Sequence, residues 1–298
     1  MLNKQRFFVF LTALLAFLPF FVLFYWPSNK LQLIACDVGQ GDALLLTQGF
    51  NQLLIDGGPD GRVLDCLADN LPFWDKEIEL VVNTHPDKDH LAGLVDVIER
   101  YSVKYLVSNS LKVETNLFAQ FQQLVLEKDI PLYSPQKGDK LKIGQLELTV
   151  LWPQEKIGDS RIWDKKFVVQ EKDIFSLKGV EEGEVLGKKR QDTNDYSIVF
   201  HLQFGQFDAL LTGDITSQVE KEIIKNNKFK GIEVLKVAHH GSKYSTSEEF
   251  LQAVKPEIAI ISVGKNPWGH PTAEVLERLK EIGAQVWRTD KQEVSFKI

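Results

Sequence analysis

The chain has 298 residues, of which 44% are hydrophobic and 26% charged, and its formal net charge is −6 at pH 7. Length and composition are those of a globular protein with a sizeable core. The negative balance excludes a broad basic surface that holds nucleic acid by charge alone. A phosphate-bearing substrate would have to be held locally, by metal ions and a few side chains.

The N-terminal region is predicted to be a membrane anchor. Residues 7–26 carry no charge and are numerous enough to cross a bilayer as a helix. Lys4 and Arg6 precede this run, and Tyr25 and Trp26 end it as interfacial residues would. This pattern predicts a single pass through the cytoplasmic membrane, with the N-terminus in the cytoplasm and the remaining chain outside it. A cleaved signal peptide or a buried helix is the alternative.

The two cysteines have several possible roles. Residues 33–36 superficially fit a lipoprotein processing site at Cys36, although the apolar run ends ten residues earlier. We interpret Cys36 as a buried thiol within a strand. A bridge from Cys36 to Cys66, which would suit an oxidising compartment, is the alternative.

Hydrophobic periodicity predicts an ordered core from residue 31 onward. Short β-rich runs are predicted at 31–37, 43–47, 52–55, 79–82, 103–107, 141–152, 197–203, 207–211, 233–238, 258–263 and 285–297, the last as a closing strand pair. Helical spacing occurs at 61–71, from His90 onward, and at 114–128, 216–228, 247–254 and 272–282.

This order of elements predicts the fold class and the domain limits. Strands come first, then helices alternate with strands, and the pattern repeats. Such a pattern predicts an α/β (α+β) protein with two sheets packed face to face and helices outside, a four-layer αββα sandwich. We expect an anchor and linker at 1–30 and one domain at 31–298. Residues 154–193 lack periodicity and carry balanced charges, so we interpret them as a surface insertion.

The densest group of ionisable residues follows the apolar run at 80–82. Residues 85–90, HPDKDH, place two histidines and two carboxylates within six positions. Imidazole and carboxylate groups are ligands for zinc, manganese or iron. Their spacing lets one loop supply ligands to two neighbouring cations. By itself this loop is also compatible with a capped surface turn.

Five further segments place polar groups at the ends of predicted strands or next to predicted elements. They are Asp56-Gly57-Gly58, Asn194-Asp195, Thr212-Gly213-Asp214, His239-His240-Gly241-Ser242 and Gly269-His270-Pro271. Each one taken alone is compatible with an ordinary turn. Together they predict that ligand-bearing loops converge on one site.

These motifs resemble a known family. The chain is similar to the metallo-β-lactamase-fold hydrolases, in the branch that forms the C-terminal hydrolase domain of ComEC-type DNA-internalisation (competence) proteins. The matching segments occur in the family's order over about residues 31–297, and they are 37–43 (DVGQGDA), 56–58, 85–90, 212–214, 239–242 and 269–271.

The resemblance implies two divalent metal ions, zinc or manganese, about 3.5–4 Å apart and sharing a hydroxide. His85 and Asp87 would face one ion, and Asp89 and His90 the other. Asp87 stands where the broad superfamily has histidine, and no histidine lies between His90 and His201 to supply the usual third ligand. The first site is therefore expected to be more acidic or more open, which favours manganese.

Further roles follow from the same resemblance. Asp214 would bridge the two ions, and His240 would be the remaining protein ligand, with His239 as the alternative. Asp56 would orient a ligand histidine by accepting its other ring N–H. Asn194 would fill the vacant ligand position, directly or through water.

The residues of the overhanging loop have two possible interpretations. His270, beside Asn266, would protonate the leaving oxygen or contact a phosphate, and the alternative is helix capping. Ser242 would hydrogen-bond substrate oxygens or cap the helix that starts near Ser247. His201 lies within a predicted strand and is interpreted as a structural residue.

The function implied is hydrolysis of a phosphodiester, with DNA as the expected substrate outside the membrane. The shared hydroxide would attack in line, and Asp89, Asp214 and His270 form the expected catalytic set. A separate membrane channel protein is an expected partner, because a single span forms no channel by itself. The alternatives are a metallo-hydrolase of a phosphorylcholine ester or a lactone, and a non-catalytic tethered binding module.

Overall fold

A computed structural model describes residues 8, 11–13, 16, 17, 26–109, 111, 113–157 and 193–298. Within these residues, no helix is both long enough and apolar enough to cross a membrane. Most of the predicted anchor at 7–26, and most of the predicted insertion at 154–193, lie outside the described residues. The anchor, the insertion and the domain limits therefore stay predictions.

The first sheet has seven strands in the order β14-β1-β2-β3-β4-β5-β6. These strands are β1 (Gln32–Ala35), β2 (Leu44–Gln48), β3 (Asn51–Ile55), β4 (Glu77–Asn83), β5 (Ser102–Ser108), β6 (Leu132–Tyr133) and β14 (Val294–Lys297). Strands β3 to β6 run parallel, and the other neighbours pair antiparallel. Three helices follow strands of this sheet along the chain, α1 (Val63–Asn70), α2 (Lys88–Arg100) and α3 (Asn116–Glu127).

The second sheet also has seven strands, in the order β13-β12-β11-β10-β9-β8-β7. They are β7 (Lys140–Ile143), β8 (Leu146–Trp152), β9 (Val199–Phe204), β10 (Phe207–Leu211), β11 (Ile232–Lys236), β12 (Pro256–Ile261) and β13 (Gln285–Arg288). Strands β10 to β13 run parallel. The helices that alternate with them are α4 (Ser217–Asn226), α5 (Glu248–Val254) and α6 (Ala273–Glu281).

The core consists of three apolar layers. The central layer lies between the sheets, and alternate residues such as Leu80 of β4 and Phe200 of β9 enter it. Because successive side chains of a strand point to opposite faces, Val81 instead packs under α1, α2 and α3. A third layer, which includes Leu235, packs under α4, α5 and α6. This arrangement confirms the predicted αββα sandwich.

Two details of the predicted elements are wrong. The closing strand pair at 285–297 does not pair with itself, because β13 joins the second sheet beside β12 and β14 joins the first sheet beside β1. The helix expected to open at His90 begins at Lys88. Asp89 and His90 therefore lie in the first helical turn, where the positive end of the helix dipole favours a carboxylate.

Cys36 and Cys66 form a disulfide, which corrects the interpretation of Cys36 as a thiol. Cys36 directly follows β1, and Cys66 lies in α1. The bridge therefore fastens the start of the loop at 37–43 to the helix layer. Only strand and helix packing brings these positions together, so no local spacing specified the pair.

Candidate metal centre

Four loops that carry predicted site residues follow parallel strands. In the first sheet, Asp56 directly follows β3 and His85 follows β4. In the second sheet, Asp214 follows β10 and His240 lies in the turn after β11. The carboxyl ends of parallel strands lie at one edge of a sheet, where open α/β sheets place their ligand sites. Contacts between His90 of the first sheet's loops and Asp214 of the second sheet's loops show that the two edges meet.

Several residues of these loops have strained backbones. Asp56, His239 and His240 have φ angles of 60°, 50° and 53°. Non-glycine residues seldom adopt this left-handed region, and such strain persists where the surrounding structure holds it, often at functional sites. The turn after β11 thus places two consecutive histidines in an unusual conformation.

Asp56 organises two histidines of the His85–His90 loop. Its Oδ2 lies 2.8 Å from His90 Nδ1, and it accepts a 2.7 Å hydrogen bond from Thr84 Oγ1. Because the Thr84 hydroxyl hydrogen is used in this way, its oxygen accepts from His85 Nδ1, 3.1 Å away. Both histidines are therefore protonated at Nδ1. Asp56 makes the contact expected of a residue that orients a ligand histidine.

A backbone carbonyl fixes His240 in the same manner. Its Nδ1 lies 2.9 Å from the oxygen of Ser262, which only accepts hydrogen bonds. His240 is therefore protonated at Nδ1, as His85 and His90 are. In all three residues Nε2 is the atom that is able to bind a cation. The three Nε2 atoms are buried and form no hydrogen bond.

The Nε2 atoms surround the carboxylate of Asp214. Asp214 Oδ2 lies 3.2 Å from His90 Nε2 and 3.3 Å from His240 Nε2, outside hydrogen-bond geometry. Asp89 Oδ2 lies 3.4 Å from His240 Nε2. Ligand atoms about 2.0–2.1 Å from one tetrahedral ion lie about 3.3 Å apart, so these separations are those of neighbouring ligands.

Among the described residues, four candidate ligand groups share side chains, and three of them include His90. Two groups are suited to hold one cation each: His85, His90 and Asp214, and Asp89, His90 and His240, each with ligand atoms within 4.8 Å of one another. The other two contain Asp42, one with Asp56 and His90 and one with Asp214 and His240. Imidazole nitrogens and carboxylate oxygens are the ligands that zinc and manganese take in proteins. The residues present therefore fit divalent cations.

Two buried charged residues that sequence reasoning did not assign complete the centre. Lys236 Nζ contacts Asp42 Oδ2, lies 3.3 Å from Asp214 Oδ1 and donates a 2.9 Å hydrogen bond to the carbonyl of Gly213. Asp42 also lies 3.5 Å from His240 Nδ1. The signals were present, since Asp42 lies in the DVGQGDA motif and Lys236 follows Val234 and Leu235 at the end of a strand.

The directions in which the pKa values shift reflect the negative charge concentrated in the candidate metal centre. Burial alone would raise the pKa of Asp214, but His240, His90 and Lys236 hold it well below its usual value. Burial alone would lower the pKa of His90 and of His240, yet Asp214 together with Asp56 or Asp42 raises both well above the usual value. The carboxylates therefore attract positive charge strongly enough to overcome burial.

Three predicted ligands do not join the candidate groups. Asp87 has a side chain that is 39% exposed, accepts a 2.8 Å hydrogen bond from Thr193 Oγ1 and lies 3.9 Å from His85 Nε2. His240 belongs to the candidate ligand groups and His239 does not. The ring centroid of His239 lies 6.2 Å from that of His240. Asn194 is buried in the 3-10 turn Thr193–Tyr196.

The loop at 264–270 is built around Asn266. Its Nδ2 donates to the carbonyls of Gly264 and His270, and its Oδ1 accepts from the backbone N–H groups of Trp268 and His270, all at 2.8–3.1 Å. The His270 ring lies 5.7 Å from that of His239. Burial, with the charges of His239 and His240, lowers the pKa of His270. Asn266 thus positions His270 beside the centre.

Two further residues have structural contacts. Ser242 Oγ accepts a 3.4 Å hydrogen bond from the N–H of Tyr244, and the cap of α5 is instead Ser247. His201 lies on β9 with its Nε2 2.7 Å from Asp208 Oδ1. Asp208 belongs to the neighbouring strand β10, so this contact lies between strands.

Comparison with known families identifies the class of protein. The model of the metallo-beta-lactamase superfamily matches residues 36–265, and the chain belongs to this superfamily. The family together with the histidine and aspartate groups indicates a hydrolase that binds divalent metal ions.

The chain is similar to ComEC-type competence proteins, as its motifs predicted. ComE operon protein 3 of Bacillus subtilis (strain 168) is 29% identical over 91% of this chain and 34% of its own length. Recombination protein 2 of Haemophilus influenzae is 28% identical over 87% of this chain and 27% of its own length. Competence protein ComA of Neisseria gonorrhoeae is 37% identical over 35% of this chain. The chain thus spans about a third of these relatives or less.

Solved structures agree on the fold. The metallo-beta-lactamase fold protein YhfI from Bacillus subtilis has a TM-score of 0.56 and 12% identity, with 91% of this chain and all of that chain covered. The CmlA beta-hydroxylase E377D mutant has a TM-score of 0.53 over 91% of this chain and 54% of its own.

Proposed function

We propose that the chain is a binuclear metal-dependent phosphodiesterase that cleaves DNA outside the cytoplasmic membrane. The observation that carries this proposal is the convergence of His85, His90 and His240 on Asp214, with the Nε2 atoms of His90 and His240 at 3.2 and 3.3 Å from Asp214 Oδ2. Three oriented histidines around one carboxylate are more than a structural ion pair needs. The relatives named for competence and recombination favour DNA over a phosphorylcholine ester or a lactone.

The ligand roles follow from the two overlapping groups. His85 and Asp214 would hold one cation, and Asp89, His90 and His240 would hold the other. Asp214 Oδ2 also lies 3.3 Å from His240 Nε2, so its carboxylate could serve both cations. Divalent cations in such a site would lower the pKa of a bound water to about 7 and would offset charge on phosphoryl oxygens.

Other residues of the chain orient and support these groups. Asp56 and Ser262 hold two histidine rings in the required tautomer, and Lys236 holds Asp214 through its Oδ1 so that Oδ2 faces His90 and His240. His270, placed by Asn266, would contact a substrate phosphate or protonate the leaving oxygen.

The proposed location outside the membrane has its own support. Disulfides persist mainly in oxidising compartments, and Cys36 is bonded to Cys66. The uncharged run at 7–26 would provide the anchor. A separate membrane channel protein is the proposed partner. Normal DNA uptake after deletion of this chain, in a cell competent for uptake, would remove the support for that partnership.

A substrate panel tests the enzymatic proposal. The full chain in detergent would be assayed with single-stranded DNA, bis-p-nitrophenyl phosphate, a phosphorylcholine ester and a lactone, with zinc, manganese or EDTA. We expect metal-dependent cleavage of the two phosphodiesters. The double variant D89N/D214N should lose this activity, and His201→Ala, outside the centre, should keep it. Full activity in D89N/D214N would refute the assignment, and binding of metal without hydrolysis would indicate a tethered binding module.

A further inference from the structure

Two large aromatic side chains are exposed on the loops beside the candidate metal centre. Tyr244 is 67% exposed and lies four residues after His240. Trp268 is 64% exposed and lies two residues before His270. Single exposed apolar residues are common on protein surfaces. These two, however, belong to the loops that carry the candidate ligand His240 and the overhanging His270.

Trp268 stands at the outer end of a row of rings that begins at a candidate metal ligand. Centroid distances are 6.2 Å from His240 to His239, 5.7 Å from His239 to His270 and 6.3 Å from His270 to Trp268. The planes of Trp268 and His270 are inclined by only 30°. Asn266 Oδ1 accepts a hydrogen bond from the backbone N–H of Trp268 at 3.1 Å. The backbone at Trp268 is therefore held by its loop, and the side chain is exposed to solvent.

Positive charge is local to the same loops despite the net charge of −6. Lys243 lies with its Nζ 5.2 Å from the centroid of the Tyr244 ring. Lys88 is exposed at the start of α2, next to Asp89, and Lys265 is exposed on the loop that holds Asn266. The interior of the centre is acidic, whereas three lysines close to its residues along the chain, Lys88, Lys243 and Lys265, are exposed. Their ammonium groups would attract the phosphates of a substrate strand.

We propose that Trp268, together with Tyr244 and Lys243, forms a binding strip for single-stranded nucleic acid, with a base stacked on the open face of the Trp268 indole. The inference rests on the proposed phosphodiesterase function and names the substrate class of that site. Exposed aromatic rings beside a positively charged groove are how proteins hold single strands without sequence preference, since every base has a π-face. Duplex DNA has its bases already stacked and is not held in this way.

Binding of two oligonucleotides tests the strip. One is a fluorescein-labelled oligo(dT) with a phosphorothioate backbone, which resists hydrolysis, and the other has the same backbone but abasic sugars. Fluorescence anisotropy would give Kd for each with the full metal-loaded chain. We expect Trp268→Ala to weaken binding of oligo(dT) about 5- to 150-fold and binding of the abasic strand much less. Trp268→Phe keeps a stacking ring and should lie between the wild type and the alanine variant.

Trp74→Ala is the matched control. Trp74 is 41% exposed and precedes β4, whereas the His85 loop follows β4, so about 23 Å of strand separates them. This variant should bind both oligonucleotides as the wild type does. Equal effects of Trp268→Ala on the two oligonucleotides, tighter binding of duplex than of single strand, or no binding by the wild type would each overturn the proposal.

Hydrolysis of bis-p-nitrophenyl phosphate distinguishes failure of the proposed phosphodiesterase function from failure of the proposed binding strip. If the wild-type chain releases no p-nitrophenol with any metal, the phosphodiesterase function fails, whatever the oligonucleotides show. If it does release p-nitrophenol but Trp268→Ala and Trp74→Ala bind oligo(dT) equally well, only the binding strip fails. The midpoint of urea unfolding would show that each variant is folded, as expected for substitution of exposed side chains.

Discussion

Replacing Lys236 with methionine tests whether the centre is built around a permanent positive charge. The ammonium group is buried, contacts Asp42 and lies 3.3 Å from Asp214 Oδ1. Burial alone would lower the pKa of Lys236, but Asp42 and Asp214 outweigh it and raise the pKa, so the group is charged at neutral pH. Methionine is a flexible, unbranched side chain without charge.

The expected loss of stability is large. Removal of one partner from a buried ion pair costs about 3–5 kcal/mol, because the other charge stays buried without compensation. Stabilities of native proteins are about 5–15 kcal/mol, so the metal-free variant should unfold at clearly lower urea concentration. The free energy of unfolding would be measured by circular dichroism in EDTA. Zinc or manganese should restore part of the loss, because a bound cation supplies positive charge to Asp214.

The double variant D42N/K236M is the control for this reasoning. It removes both partners of the ion pair, and replacement of a whole buried pair is often close to neutral. Its loss of stability should therefore be smaller than that of Lys236→Met alone. A loss below about 1 kcal/mol for the single variant, the size typical of an exposed pair, would refute a buried structural charge. So would a double variant less stable than the single one.

Three further predictions concern the centre and its supports. His240→Ala should lower the bound metal measured by elemental analysis, whereas His239→Ala should retain it; the reverse result would reassign the ligand. Serine at both Cys36 and Cys66 should lower the free energy of unfolding in urea by about 3–4 kcal/mol, the loss expected for a bridge with a sequence separation of 30. Treatment of the wild type with a reductant should cause the same loss. Asn266→Ala, which loses the hydrogen bonds that shape its loop, should raise KM for single-stranded DNA at unchanged metal content, and an unchanged KM would contradict its positioning role.

The convergence of the site residues followed from the order of the elements. His85 and Asp214 each come three positions after the last residue of an apolar run, and such runs are buried strands. Polar residues at the carboxyl ends of parallel strands meet at one edge of the sheet, whatever separates them along the chain. That rule and the family motifs together predicted the fold and most of the candidate ligands.

The register of the paired histidines was beyond sequence reasoning. His239 and His240 leave β11 in a turn where both have positive φ, so neither the strand period nor the helical period tells which ring points inward. The contact from His240 Nδ1 to Ser262 selects the inward ring, and Ser262 follows another strand. A one-residue choice of this kind depends on tertiary packing.

Asp42 and Lys236 were unassigned for a related reason. Asp42 belongs to a loop of the first sheet, and Lys236 ends a strand of the second sheet, so the pair forms only when the sheets pack. A lysine at the end of a strand that also contains Glu233 looks like a surface residue when read alone. The disulfide between Cys36 and Cys66 is another long-range pair that local spacing did not specify.

The charge balance of the centre links its folding to its chemistry. Asp42, Asp56 and Asp214 are all buried, and among the described residues Lys236 is the one fully buried lysine or arginine that faces them. Uncompensated burial of a carboxylate costs several kcal/mol even after relaxation. Asp214, together with Asp56 or Asp42, raises the pKa of His90 and of His240, which favours protonated imidazoles that offset part of this charge in the metal-free protein. Divalent cations bound at the Nε2 atoms of His90 and His240 would displace those protons. The same buried carboxylates therefore influence both the stability of the fold and the affinity of the centre for metal.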